Sequence, residues 1–420
     1  MASDASIKSF LGIRNAEPAK GYPPGSLADA DNVVLDDAGN LHHRFGVGAP
    51  VAMAGCTDGF SVDHFGYALI VADGTLYSVW PSGEWRQIQS GLTDEVFQWA
   101  QSGQFVAMAG KSDALLIVDG IKALPLRIPA PLVTAVAGSG DLPPGVYQFT
   151  AHARHVATGV VGPAIPSLTI STIAPCSFQV YAEIPAGHEV DLFATAPGPG
   201  GTVERYIGTT TGAAITYDMT TQLLEPLHDA QIGTYPLPPH VRAVAVHKGS
   251  LWGVSWLQDL PGKTEDKSFV YRSEPGRFQM FRTFGDGFSV PGKVLGMASM
   301  ADGLVIATDK AIYKLGMDEI EANGFSLPVQ NRLVSYGAVP GYPMAKDQEG
   351  NVLIWTTRGQ CIASPGEGIG NLFKDTDGSW KLSVPPGTSV VNGIINHDGL
   401  TLSVAFTDGK GEAFNKYTRG

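Results

Sequence analysis

The sequence is poor in charge, in cysteine and in long apolar runs. Asp, Glu, Lys and Arg make up 16% of its 420 residues, against about a quarter in an average soluble domain. With 44% apolar residues, this excludes a disordered chain, which needs much charge and little hydrophobicity. The basic excess of a sequence-independent nucleic-acid binder is missing too, since the net charge is −12. The three cysteines, Cys56, Cys176 and Cys361, are odd in number and far apart. They exclude a disulfide framework and a CxxC knuckle, and read as small buried hydrophobes of a protein assembled in a reducing compartment. No apolar run approaches the roughly 18 residues of a membrane span, so no membrane-spanning segment is expected. The stretch Met1–Lys8 lacks the pattern of a secretory signal. No Asn-x-Ser/Thr sequon occurs.

What the chain has instead is Gly, 52 residues, and Pro, 29 residues. That excludes helical bundles and coiled coils and leaves a turn-rich, all-β protein large enough for a real core. Asx-Gly pairs mark tight hairpins, because type I′ turns need two residues with positive φ. Three lie early, Asp58-Gly59, Asp73-Gly74 and Asp119-Gly120. Seven lie late, Asp286-Gly287, Asp302-Gly303, Asn323-Gly324, Asp377-Gly378, Asn392-Gly393, Asp398-Gly399 and Asp408-Gly409. None lies between 121 and 285, so the middle is built differently from the ends.

The ends read as short hairpins. Tyr67–Val71 and Thr75–Trp80 flank Asp73-Gly74, and Ser82-Gly83 reverses the chain again into Glu84–Ile88. Phe105–Ala109 and Ala114–Val118, Gly303–Thr308 and Ala311–Leu315, and Val352–Thr356 and Gly359–Ala363 form further pairs. Short strands at such spacing predict a β-propeller of about six blades. The middle, 136–236, carries Leu142–Phe149, Ser167–Ser171, Phe178–Tyr181, Glu189–Phe193, Glu204–Ile207 and Ala214–Tyr217, the strand density of a β-sandwich. Half of the net charge sits there: eight acids, only Arg154 and Arg205 as bases, and no lysine. The expected organisation is an N-terminal arm and first strand over 1–50, a first propeller part over 51–135, an inserted sandwich over 136–236, and a second propeller part over 237–420.

No motif carries catalysis. Ala109-Gly-Lys-Ser112 resembles the end of a P-loop, but Phe105 stands where the cradle needs Gly. Asp375-Thr-Asp377-Gly378 resembles part of a calcium loop, but Phe373 stands where a third acid is needed, and a hairpin turn is the plainer reading. His152 and His155, three apart on a strand, face opposite ways and cannot share a metal. Trp252 and Trp256 read as core residues, with a binding platform as the alternative. Leu257–Ser268 reads as a projecting polar loop. No enzyme activity, cofactor or metal is expected.

A resemblance gathers these pieces. Phe10-Leu-Gly-Ile-Arg14, Ala28-Asp-Ala-Asp-Asn32-Val-Val-Leu-Asp36 and Gly39-Asn-Leu-His-His-Arg44-Phe-Gly46 resemble the opening of the tail nozzle (hub) proteins of short-tailed bacteriophages. Leu142-Pro-Pro-Gly-Val-Tyr147 is similar to that family's entry into an inserted sandwich. His247–Trp252 and Val270–Pro275 resemble its blade strands. The resemblance implies a structural virion protein assembled in the bacterial host cytoplasm. It would form a homo-oligomeric ring, commonly a hexamer, below an adaptor (head-to-tail connector) protein and beside tail fibre or spike proteins. Phage DNA would pass through it without specific binding.

An acidic lumen repels phosphates and lets DNA slide. Glu183, Glu189, Asp191, Asp259, Glu265 and Asp266 are therefore expected to face lumen or solvent. Phe10, Arg14, Asn32 and Arg44 are the candidates for an assembly arm. Two rival readings are a receptor- or glycan-binding tail protein and a propeller-fold glycosidase or lyase.

Overall fold

The computed structural model describes residues 55–371, apart from 63–64, 165–167, 196–203, 223–234, 260–261, 263, 282–286, 323–324, 347–349 and 367. It also describes the strands Gly12–Ile13, Ser26–Leu27, Val33–Leu35, Leu41–His43, Val390–His397, Leu400–Thr407 and Tyr417–Arg419. Two units are distinguished, Met1–Ala54 with Arg419–Gly420, and Gly55–Thr418. In the first, Gly12–Ile13 runs parallel to Ser26–Leu27, and Val33–Leu35 pairs antiparallel with Leu41–His43. Phe10, Arg14, Asn32 and Arg44 lie outside the described residues.

The second unit is all-β. Its helical content among the described residues is one turn at Met219–Gln222 and a 3-10 turn at Leu257–Asp259. Among the described residues six sheets follow one another, spanning 56–90, 98–125, 243–291, 294–334, 344–371, and a sixth that includes 341–342, 390–397 and 400–407. Two further sheets lie within 133–217.

The first five of these sheets stack in series, and strand alternation shows how. Successive side chains of a strand point to opposite faces. In Phe105–Ala109, Val106 and Met108 pack with Leu69, Val71 and Leu76 of the first sheet, while Ala107 and Ala109 pack with Val244, Val246 and Leu251 of the third. In Ala243–His247, Val244 and Val246 face the second sheet, and Ala243 and Ala245 face Leu304 and Ile306 of the fourth. In Gly303–Thr308, Leu304 and Ile306 face the third sheet, and Val305 and Ala307 face Val352 and Ile354 of the fifth. Gln98–Ser102, Ala243–His247, Val294–Met300, Met344–Lys346 and Val390–His397 lie side by side in that order. Burial on both faces is why these strands read as unbroken apolar runs. Each fully buried Leu, Ile or Val contributes about 1.5–3 kcal/mol.

The segment 133–217 has its own core. Val133–Leu142, Cys176–Ala182 and Ile215–Tyr217 form one sheet; Leu168–Thr172, Gly145–His155, His188–Thr195 and Glu204–Thr210 form the other. Tyr147, Phe149, Phe178 and Tyr217 meet between them with Val180, Leu192 and Ile207. The sheets before and after this segment, the second and the third, share a core with each other. The expected boundary at 135/136 falls inside the strand Val133–Leu142.

Several turns fall where the sequence places them. Asp73-Gly74 has φ of 48° and 68°, and Asp119-Gly120 has 52° and 63°. Three Asx-Gly or cysteine expectations need correction. Asp58-Gly59 lies within the strand Cys56–Val62, where a Cβ on Gly59 would sit 3.3 Å from the Leu69 carbonyl oxygen, so close backbone approach explains the glycine. Asn392-Gly393 lies inside the strand Val390–His397. Cys56 is exposed, whereas Cys176 and Cys361 are buried, and all three are free thiols. The pair Lys248-Gly249, with φ of 48° and 73°, makes a tight turn that carries no Asx signal. Asp377-Gly378, Asn323-Gly324, Asp286, Asp398-Gly399 and Asp408-Gly409 lie outside the described residues.

Candidate functional site

The outer face of the sheet 145–155/188–195/204–210 carries the densest polar network. Alternation sends Tyr147, Phe149 and Ala151 to the core and Thr150, His152 and Arg154 outward. On the neighbouring strand Val190 and Leu192 turn inward, while Glu189, Asp191 and Phe193 turn outward. The Asp191 carboxylate meets His152 Nε2 at 3.0 Å and accepts from Arg154 Nη2 at 2.8 Å and from the Thr209 hydroxyl at 2.5 Å. Arg154 also pairs with Glu189 at 3.2 Å, and Thr150 donates to Glu204 at 2.7 Å. Burial, the largest influence on Asp191, pushes its carboxyl up. The hydrogen bonds from His152 and Thr209 and the charges of His152 and Arg154 together outweigh burial and hold it below its ordinary value.

Asp191 thus corrects the expectation of an acid facing lumen or solvent: it is 7% exposed and ion-paired. An acid on a sheet face that packs against protein needs a cation beside it. Glu189 and Asp259 are half-buried, and Glu183, Glu265 and Asp266 are exposed. Asp259 pairs with Arg242 at 2.8 Å, Glu265 with Lys267 at 2.8 Å, and Asp266 with Lys310. Five of the six acids therefore have a basic partner. Arg154 was legible in advance as one of two bases among eight acids, a position that calls for ion pairing.

His152 and His155 are not brought together. His155 instead faces His188 across the strand pair, with ring centroids 5.1 Å apart. Burial, and then the neighbouring His188, lower the pKa of His155. Among the described residues no three His, Cys, Asp or Glu side chains converge as metal ligands.

A second polar feature joins the sheets that flank 133–217. Arg127, two residues beyond the last strand of the second sheet, donates to the carbonyls of Leu237 at 3.0 Å and Pro238 at 2.8 Å on the returning segment. It also donates to the carbonyls of Gly110, Lys111 and Ser112. The His240 amide donates to the Lys111 carbonyl. No sequence signal marked Arg127. The P-loop-like stretch is part of this joint: Gly110 N–H donates to the Asp113 carbonyl at 2.9 Å, and the N–H groups of Ser112 and the following Asp113 donate to the Asp94 carboxylate at 2.6 and 2.8 Å. Asp113 in turn caps Thr93 and Asp94. Beside it lies a cleft of about 440 Å³ lined by Gln98, Lys111, His240, Arg242 and Asp259.

Trp252 is buried, as a core reading requires. Trp256 is half-buried, donates to the Val294 carbonyl at 2.8 Å, and lies under Arg242 at 4.6 Å and Lys293 at 5.2 Å. Two cations thus lie against its ring. No helix among the described residues is long and apolar enough to cross a membrane.

No protein-family model matches the chain, and no curated protein matches it. Among solved structures, apo AztD from Citrobacter koseri is similar at 9% identity over 91% of this chain and 90% of that one, with a TM-score of 0.31. Kluyveromyces lactis Hsv2 is similar at 10% identity over 87% and 98%, with a TM-score of 0.31. At these scores the likeness carries no argument about fold or function.

Proposed function

We propose that the chain is a ring-forming nozzle subunit of a short bacteriophage tail, a six-bladed β-propeller interrupted by a β-sandwich, through which the genome passes during ejection. The observation that carries this reading is the placement of 133–217. It departs and returns between two sheets that share one core and are clamped by Arg127. The motif Leu142–Tyr147, which resembles the family's entry into an inserted sandwich, lies at its first turn, where the Tyr147 hydroxyl donates to the Pro143 carbonyl at 2.5 Å. The six serial sheets are the blades in this reading. A closed ring of subunits needs a heterologous head-to-tail interface.

Much of the negative charge is paired locally. Ion pairing neutralises Glu189, Asp259, Glu265 and Asp266 locally, so the net −12, rather than an array of unpaired acids, keeps DNA from adhering. Native mass spectrometry and negative-stain imaging of the purified chain test the reading. Six-membered rings with a central opening, and no retention of duplex DNA at physiological salt, are the expected result. Monomers that bind host polysaccharide saturably overturn it in favour of a receptor-binding tail protein.

A further inference from the structure

The cleft between the second and third sheets holds hydrogen-bond donors that neither the fold nor the ring reading uses. It measures about 440 Å³, within the range of small-molecule sites. Gln98 opens the first strand of the second sheet, and Lys111 lies in the turn after Phe105–Ala109. His240, Val241 and Arg242 lead into Ala243–His247, and Asp259 ends the turn Leu257–Asp259. His240 has a φ of 56°, a conformation that residues other than glycine rarely adopt. Its amide, donating to the Lys111 carbonyl at 3.2 Å, ties this strained residue to the opposite wall.

Arg242 is fixed from two sides. The Asp259 carboxylate accepts from its Nε at 2.8 Å, and its guanidinium carbon lies 4.6 Å from the centre of the Trp256 ring. Arg242 and Asp259 line the cleft and Trp256 does not, so the ring backs the guanidinium from the side away from the cleft. The Arg242 side chain is nevertheless 41% exposed, and its two terminal amino groups donate to no acceptor among the described residues. The exposed Lys111 has neither a side-chain hydrogen bond nor an ion pair among the described residues. Asp94 and Asp113, the other acids nearby, do not line the cleft, and backbone amides occupy their carboxylates. A stacked guanidinium whose Nε is already committed keeps one orientation. It presents the parallel N–H bonds of its far end, whose spacing matches two oxygens of one oxyanion.

We propose that this cleft binds the carboxylate of a small organic acid, with Arg242 taking both oxygens and Lys111 supplying a second cation. Charge selects among oxyanions. Lys111 and Arg242 against Asp259 leave one net positive charge, which a carboxylate balances. A phosphate dianion would exceed it and would stand beside Asp259. Val96 and Val241 line the same cleft and offer apolar surface to the body of the acid. The inference does not rest on the ring reading.

Saturation-transfer NMR on the full chain tests it with three probes that share one ring, benzoate, benzamide and phenyl phosphate. Benzoate should bind saturably in the millimolar range or tighter. Benzamide, which has the shape without the charge, and phenyl phosphate should each bind about tenfold more weakly or worse. Arg242→Lys keeps a cation for Asp259 but loses the fork, and should raise the benzoate Kd about tenfold or more. Should that variant lose its native melting transition, Lys111→Met, at an exposed turn position, carries the test with an expected rise of about threefold. Crystals grown with para-bromobenzoate locate the site without any variant, through an anomalous bromine peak in the cleft. The proposal is overturned by the absence of saturable benzoate binding, by benzamide or phenyl phosphate binding as tightly as benzoate, by an unchanged Kd in either folded variant, or by bromine peaks only elsewhere.

Discussion

The serial sheets and the 133–217 segment solve the same problem, burying β-strands, in two different ways. In the serial sheets an inner strand is covered on both faces: Gly303–Thr308 divides its residues between the third and fifth sheets and is buried throughout. In 133–217 one face goes to a shared core of stacked rings and the other carries polar groups. Tyr147 and Phe149 each lie 5.0 Å from Phe178, and Tyr217 completes the cluster at 5.8 Å from Phe149. One region spreads its apolar contacts over several aliphatic interfaces, and the other concentrates them in four rings. A single large-to-small change should therefore damage the second more locally and more completely.

Phe178→Ala is expected to cost about 3–5 kcal/mol, and Ile306→Ala about 2–4 kcal/mol. The discriminating measurement is limited proteolysis followed by mass mapping. Phe178→Ala should open cleavage within 133–217 while 243–371 stays protected; Ile306→Ala should expose the third and fourth sheets together. Identical cleavage maps would mean that the two regions unfold as one body and that the contrast is only one of composition.

Where the two regions join, Arg127 serves both. Replacing it with Ala removes its hydrogen bonds to the carbonyls of Gly110, Ser112, Leu237 and Pro238, while the Lys111 carbonyl keeps the His240 amide, at an expected cost of about 2–3 kcal/mol. Arg127→Lys should recover little of this, because an ammonium cannot fork between two chain segments. Urea unfolding gives the magnitude. Hydrogen exchange should localise the loosening to 110–113 and 237–242; exchange that quickens evenly over the chain would remove Arg127 from the joint.

On the polar face of 133–217, Asp191→Asn should cost about 1–2 kcal/mol at neutral pH, since Arg154 and His152 lose a charged acceptor and Arg154 retains Glu189. The sign of the pH dependence follows from the lowered pKa of Asp191. Its stabilisation is present above the unfolded value, 3.8, and is lost as the pH falls through the lower folded value. The gap in stability between wild type and Asp191→Asn should then close on acidification below about pH 4. A gap that stays constant would show that the hydrogen bonds, not the charge, hold this site.

How far each region could be read in the sequence follows from the same contrast. The hairpins at 67–79, 105–118 and 352–363 were legible because continuous apolar strands and Asx-Gly turns are local signals. Gly59, which serves close approach, and Gly393, which lies inside a strand, do not make turns, although each shares its dipeptide with true hairpins. The strand Val133–Leu142 was missed because, with Gly138, Ser139, Gly140 and Asp141, it reads as loop; its pairing with Cys176–Ala182 is a long-range contact. Asp191 was placed on the wrong surface for a related reason. Alternation tells which residues share a face, but not whether that face meets water or protein.

Asp58 offers the smallest effect and the sharpest test of the contrast, because it is the counterpart of Asp191 in the serial sheets. It too is withdrawn from water, and its carboxylate accepts from Phe97 N–H at 2.7 Å, Trp99 Nε1–H at 3.0 Å and Gly59 N–H at 2.8 Å, tying the first sheet to the second. These donors are all neutral. Burial, the largest influence, outweighs them and raises its pKa, whereas in Asp191 the cations tip the balance the other way. A raised carboxyl pKa means that the folded state holds its proton longer than the unfolded chain. Stability from this group is present below 3.8 and declines as the pH rises through the folded value. Asp58→Asn should therefore become relatively more stable than wild type as the pH rises from 3.8, by less than about 1 kcal/mol, since the amide oxygen still accepts two of the three hydrogen bonds. Melting curves of the two single variants across pH 3–7 should diverge from wild type in opposite directions. Parallel curves would mean that the cations around Asp191 do not distinguish it from a carboxylate held by neutral donors alone.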